Sequence, residues 1–187
     1  VAALESILAR VADVARDDIT REHCGHPDLD ADLARVYDEV IRGRGLAIVR
    51  GFPVDAHSVD ETERIYWIFC THFGTLLSNN SFGHRMVPVQ EEVLPGGVQS
   101  ARGTKSRAEH AMHNDSGDLF LLLWVHQARE GGNSQFSSGP AAHHQILATR
   151  PDLLPILYRG FPQHRRSEQP DDQPAITPYD VPIFANV

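Results

Sequence analysis

Basic charge, cysteine and long apolar runs are all scarce in this sequence, and each scarcity removes a class of function. Seventeen Lys and Arg stand against 25 Asp and Glu, a formal net charge of −8. With no basic stripe, neither nucleic acid nor an anionic membrane surface is an expected partner. No apolar run approaches the ~20 residues that a membrane-spanning helix requires. The two cysteines, Cys24 and Cys70, are too few and too far apart for a disulfide framework or a zinc knuckle. Cys70 falls in an amphipathic pattern and reads as a buried apolar side chain. A reducing cytoplasm is the expected compartment. The start, Val1 to Glu5, shows neither the basic region nor the apolar stretch of a signal peptide. Its first residue is Val1, so the chain need not begin at its natural start. What is present is ordinary for a globular protein: 187 residues, 41% hydrophobic and 22% charged, enough to bury a core.

Leu4, Ile7, Leu8, Val11 and Val14 recur at helical spacing, which predicts a helix within residues 2–17. Leu29, Leu33, Val36, Tyr37, Val40 and Ile41 predict a second over 28–44, stopped by Gly43 and Gly45. Residues 46–53, Leu-Ala-Ile-Val-Arg-Gly-Phe-Pro, read as a short buried strand closed by a turn. Ser58 followed three residues on by Glu61 is a capping box for a helix carrying Ile65, Ile68, Phe69 and Phe73 and ending at Gly74. Residues 75–111 are irregular, with an extended piece at 85–90, and long loops of this kind often wall an active site. A buried strand over Leu119–Val125, a turn at 128–132 and a short strand at 133–137 follow. Pro140 opens a helix through Leu147, Pro151 opens another to Tyr158, and 161–165 reads as an extended return. Residues 167–180 read as a loop, and 181–185 as the start of another strand. Helices first and strands afterwards predict an α+β domain.

The chemistry concentrates at Met112-His113-Asn114-Asp115. Side chains alternate along an extended backbone, so His113 and Asp115 point to one side and can converge on one ion. An imidazole and a carboxylate are two of the three protein ligands of a 2-His-1-carboxylate iron site. The bare tripeptide is weak evidence in a chain with eleven histidines. His110, three residues earlier, could form a His-x-x-His zinc pair only on a helix, and in this loop it faces solvent or substrate.

Several stretches together resemble the taurine dioxygenase-like, or clavaminate synthase-like, Fe(II)/2-oxoglutarate oxygenases. They are Gly45-Leu-Ala-Ile-Val-Arg-Gly-Phe-Pro53, Phe73-Gly74-Thr75, Met112-His-Asn-Asp115, Gly131-Gly-Asn-Ser134, Arg150-Pro-Asp-Leu-Leu154 and Tyr158-Arg-Gly-Phe-Pro162. Their order and spacing cover roughly residues 35–187. The resemblance implies a double-stranded β-helix (jelly roll) flanked by helices. It places N-terminal helices in 1–44 and the jelly-roll core from 45 onward, in one oxygenase domain spanning 1–187. It implies Fe(II) held by His113 and Asp115, and 2-oxoglutarate contacted by Ser134. The expected reaction hydroxylates a small molecule, an amino acid or specialised metabolite, using O2 and releasing succinate and CO2. Related halogenases lack the carboxylate, so Asp115 favours hydroxylation or desaturation. Asn80, Gln99 and Arg102, with Asn79, sit where members of the group often build the substrate pocket.

One part of the pattern is missing. The family uses a distal His as third ligand and, after it, an Arg that pairs with 2-oxoglutarate. His126, His143, His144 and His164 are poorly placed for the first role, and Arg165 and Arg166 come too early for the second. The expectation is that both lie beyond Val187 and that the domain is incomplete at its C-terminus. Two alternatives stay open: a non-catalytic jelly-roll relative that binds a ligand or partner, and a cupin-like enzyme using another divalent metal without 2-oxoglutarate.

Overall fold

Leu4, Ile7 and Val11, one turn apart on the first helix, are all buried against the third, where Ile65, Trp67, Ile68 and Phe69 are buried in turn. The structure is a computed structural model that describes residues 1–80, 82–90, 93–94, 98–99, 109–115, 117–165, 169 and 172–185. These residues fall into two compact units, 1–77 with 114–132, and 78–113 with 133–187.

The first unit is helical. α1 runs Ala2–Arg10, α2 Pro27–Arg42 and α3 Val59–Cys70. α1 stops short of the expected span, but Arg64 of α3 donates to the carbonyls of Val11 and Val14 at 2.7 and 2.9 Å. That cation gives a further donor to main-chain oxygens just past the helix end. α2 begins on Pro27, whose fixed φ and missing N–H suit the first helical position. α3 carries the expected capping box: Glu61 N–H donates to Ser58 Oγ at 3.3 Å, and Ser58 N–H donates to the Glu61 carboxylate at 2.9 Å. Trp67 is 2% exposed, and its indole N–H donates to the Ile19 carbonyl at 3.0 Å. Phe52 packs edge-on against Tyr66 and Phe69, pinning the preceding segment to α3.

The second unit is α+β. β1 (Val93–Leu94) pairs antiparallel with β2 (Val98–Gln99). α4 runs Gly139–Thr149, capped by Ser138, whose hydroxyl accepts from Ala141 N–H at 3.3 Å. A single turn over Pro151–Leu153 leads into α5, Leu154–Arg159. β3 (Phe161–His164) then pairs antiparallel with β4 (Ile176–Val181). The ladder breaks register between Pro162 and His164, and there the Gln163 N–H donates to the Thr177 hydroxyl at 2.9 Å. A bulge at a proline is expected, because proline has no N–H for the ladder. Gly160, at φ +83°, lies so close to β4 that a Cβ would stand 2.1 Å from the Val181 carbonyl oxygen. Only glycine fits that approach.

Three expected strands are corrected. Residues 46–53, 119–125 and 133–137 belong to no ladder among the described residues. The first two are also poorly buried, with Ile48 67%, Phe120 63% and Trp124 54% exposed. An apolar run favours an extended backbone, but a strand also needs a second segment to accept its hydrogen bonds. The loop expected over 167–180 instead contains most of β4, and the strand expected to start at 181 ends there. The α+β class holds. Among the described residues the strands form two separate two-stranded ladders.

Candidate metal-ligand segment

Residues 109–115 run without regular secondary structure, bending at Met112, and every one of them is exposed. The bend brings residues three apart together. The rings of His110 and His113 lie 5.5 Å apart between centroids, inclined at 58°. His113 Nδ1 lies 2.7 Å from the carbonyl oxygen of Ala111. A carbonyl only accepts, so this nitrogen carries the proton and donates it. A metal-ligating histidine commonly makes such a main-chain hydrogen bond through the nitrogen that does not bind the metal. This is the structure's own test of fit, and His113 passes it. Asp115, two residues on, carries an exposed carboxylate, a hard oxygen donor suited to Fe(II).

No group of three or more His, Cys, Asp or Glu among the described residues is placed to hold a metal ion. The downstream histidines have other settings. His143 on α4 lies 2.5 Å from the Tyr158 hydroxyl and packs edge-on against Phe184. His144 neighbours it, His164 closes β3, and His126 follows the exposed apolar run.

Gly131 and Gly132 both have positive φ, 69° and 70°, and a Cβ on Gly132 would come within 3.0 Å of Ala128 Cβ. Two successive left-handed residues make a turn that side chains resist, and Ser134 follows it, exposed.

The suggested pocket residues fare differently. Asn80 Oδ1 accepts from the N–H groups of Phe82 and His84 at 3.0 and 3.2 Å, and Asn80 Nδ2 donates to His84 Nδ1 at 3.1 Å. Asn79 Nδ2 donates to the Arg85 carbonyl at 2.8 Å. These amides shape the turn over 78–85. Gln99 is described only by its backbone, opposite Val93 in the β1–β2 ladder. Arg102 lies outside the described residues.

Sequence reasoning missed the Ala111 carbonyl and the contact between the two rings. A main-chain acceptor leaves no trace in residue identity; the His-x-x-His spacing was visible, but the bend that makes it a contact was not. A cavity of about 340 Å3, lined by Val1, His26, Asp28, Leu29 and Asp32 among others, belongs to the first unit and contains neither His113 nor Asp115.

Comparison with known proteins adds an independent line. The family described as taurine catabolism dioxygenase TauD, TfdA matches residues 16–184. A curated protein of Streptomyces rubellomurinus (strain ATCC 31215), named FR-33289 synthase, is 30% identical over 146 residues. That alignment covers 76% of this chain and 43% of the relative, so the chain spans less than half the relative's length.

Proposed function

The chain belongs to the TauD, TfdA family, and on that premise we propose that it forms part of an Fe(II)/2-oxoglutarate-dependent oxygenase that hydroxylates a small molecule. The observation that carries the reading is the contact of His113 Nδ1 with the Ala111 carbonyl oxygen at 2.7 Å, the main-chain hydrogen bond that typically orients a metal-ligating histidine. In this reading His113 and Asp115 are two ligands of one ferrous ion. The chain spans less than half of the relative's length, and in this reading the full-length protein supplies the third ligand and the arginine that pairs with 2-oxoglutarate.

When bound, Fe(II) and 2-oxoglutarate together supply the oxidation: one oxygen atom of O2 enters the substrate C–H bond, and the other enters succinate as CO2 leaves. The chain's own residues hold and exclude. His113 donates its Nδ1 proton to the main chain, so the ring cannot rotate its lone pair away without breaking a hydrogen bond. Asp115 supplies the negative charge that a divalent cation needs. Ser134, presented by the Gly131-Gly132 turn, donates its hydroxyl proton to a carboxylate oxygen of 2-oxoglutarate. Asn80 and Gln99 face the substrate, the Asn80 turn being held by the Asn79 and Asn80 amides. The substrate is an amino acid or specialised metabolite. No helix among the described residues is long and apolar enough to cross a membrane. Cys24 and Cys70 are both free thiols, which supports a reducing, cytoplasmic setting.

The test is anaerobic addition of 2-oxoglutarate to the full-length protein loaded with Fe(II). A visible metal-to-ligand charge-transfer band supports chelation of the keto acid at an open iron site. A protein that binds Fe(II) but develops no band contradicts the 2-oxoglutarate assignment.

A further inference from the structure

We propose that His57 is a proton-operated latch between α1 and α3, closed when its imidazole carries both ring protons. His57 lies just before the Ser58 cap of α3, and its side chain is only 15% exposed. Its two nitrogens face carboxylates from two different helices. Nε2 lies 3.6 Å from Glu5 Oε1 on α1, and Nδ1 lies 4.0 Å from Glu61 Oε2 on α3. Nε2 is buried and has no hydrogen-bond partner among the described residues. The inference is independent of the metal assignment.

An ionised carboxylate only accepts hydrogen bonds, and a neutral imidazole has a single N–H to give. Whichever nitrogen holds that proton, the other turns a lone pair toward a carboxylate oxygen. Only the doubly protonated ring offers a donor to each acid and makes both contacts ion pairs. Glu61 is held in place for this, because the Ser58 N–H and hydroxyl donate to its Oε2 at 2.9 and 2.8 Å. The start of α3 opposes a cation with a partial positive charge of about half an elementary charge. Asp60 and Glu61 in its first turn counter that charge, and Glu5 brings a full negative charge from the first turn of α1. Imidazole is the side chain whose charge ordinarily changes in mildly acidic medium, so the latch closes there and opens at alkaline pH. Leu4 and Ile7 bury α1 against α3 at every pH. The latch therefore sets how firmly α1 is held, and leaves its docking to the apolar contacts.

Amide hydrogen exchange of the full-length protein, read on α1 at about pH 5.5 and about pH 8, tests this, each variant being compared with wild type at the same pH. Exchange follows the equilibrium by which the helix opens, and an exposed ion pair changes such an equilibrium by a factor of about 1.4–5. In the acidic medium His57→Gln and Glu5→Gln each speed α1 exchange about threefold. In the alkaline medium both variants exchange as wild type does. Glu5 is 45% exposed, so E5Q keeps the fold and decides the question even where H57Q does not fold. Variants that exchange like wild type in acid overturn the latch. So does faster exchange of the same size at both pH values, since that is lost packing and needs no proton. Faster exchange in only one of two folded variants overturns it as well, because the bridge requires both partners.

Discussion

His72 Nδ1 lies 3.4 Å from an Asp30 carboxylate oxygen, with the His72 side chain only 2% exposed. Arg21 holds the same carboxylate at 2.8 Å, so one acid joins the turn before α2, the start of α2 and the segment after α3. The other ring nitrogen of His72, Nε2, is buried with no hydrogen-bond partner among the described residues. Burial, reinforced by Arg21, pushes the His72 pKa below its ordinary 6.5, against the opposing pull of Asp30 and the Cys24 main chain. A proton on Nε2 would be a buried donor with nothing to receive it.

A pH dependence follows. The unfolded chain protonates His72 near pH ~6.5, and the folded chain only at lower pH, so the unfolded state binds more protons between the two values. Stability from this group is fully present above the unfolded value and is lost as pH falls through that window. The urea midpoint of the wild type should therefore drop on going from about pH 7.5 to about pH 5.5, and that of His72→Gln should drop less. Equal drops would remove His72 from the account.

Trp67 predicts a core defect. Its indole N–H is the donor that satisfies the buried end of the Ile19 carbonyl. Trp67→Phe keeps an aromatic ring but loses that donor, and the cost expected is about 1–3 kcal/mol of unfolding free energy. The denaturant midpoint measures it, and a loss below about 0.5 kcal/mol would show that water or another donor replaces the indole.

The cap of α3 predicts a smaller effect. Hydrogen bonds from the Ser58 main chain and hydroxyl hold the Glu61 carboxyl below its usual range. Ser58→Ala removes the hydroxyl, and the expected cost is about 1 kcal/mol, while Ser58→Asp, another good capping residue, costs less. Urea unfolding of the three proteins orders them wild type, aspartate, alanine; alanine at least as stable as wild type would contradict the capping role.

How far the sequence could be read turns on whether a signal is local. Ser58 and Glu61 need only each other, and the capping box was visible from their spacing. The same holds for the Gly131-Gly132 turn. β4 was hidden because Pro178 and Asp180 resemble loop residues, and its strand character comes from pairing with Phe161–His164 across the chain. The opposite error came from residues 119–125: their apolar side chains read as a buried strand, yet Phe120 and Trp124 are largely exposed and no described segment pairs with them. At the candidate site, His113 and Asp115 were visible as residue types. The Ala111 carbonyl that meets His113 Nδ1 was not, since every residue carries the same acceptor.

Ser134 carries a prediction about 2-oxoglutarate. Loss of one charge-assisted hydrogen bond costs about 1.5–3 kcal/mol, so Ser134→Ala should weaken 2-oxoglutarate binding by roughly ten- to a hundredfold while leaving Fe(II) affinity unchanged. Ser134→Thr keeps the hydroxyl and should restore binding. Calorimetric titration of the Fe(II)-loaded protein under argon separates the two effects, and an alanine variant with wild-type affinity would take Ser134 out of the site.

The claim on which the functional account turns is that His113 and Asp115 hold one reactive ferrous ion. The direct measurement is succinate formed by the full-length protein supplied with Fe(II), 2-oxoglutarate and O2, compared with His113→Ala and Asp115→Ala. The account predicts oxygen-dependent succinate from the wild type and a loss of at least about a thousandfold in both variants, since each removes a metal ligand. Wild-type protein that binds Fe(II) yet forms no succinate, or variants that form it at the wild-type rate, would contradict it.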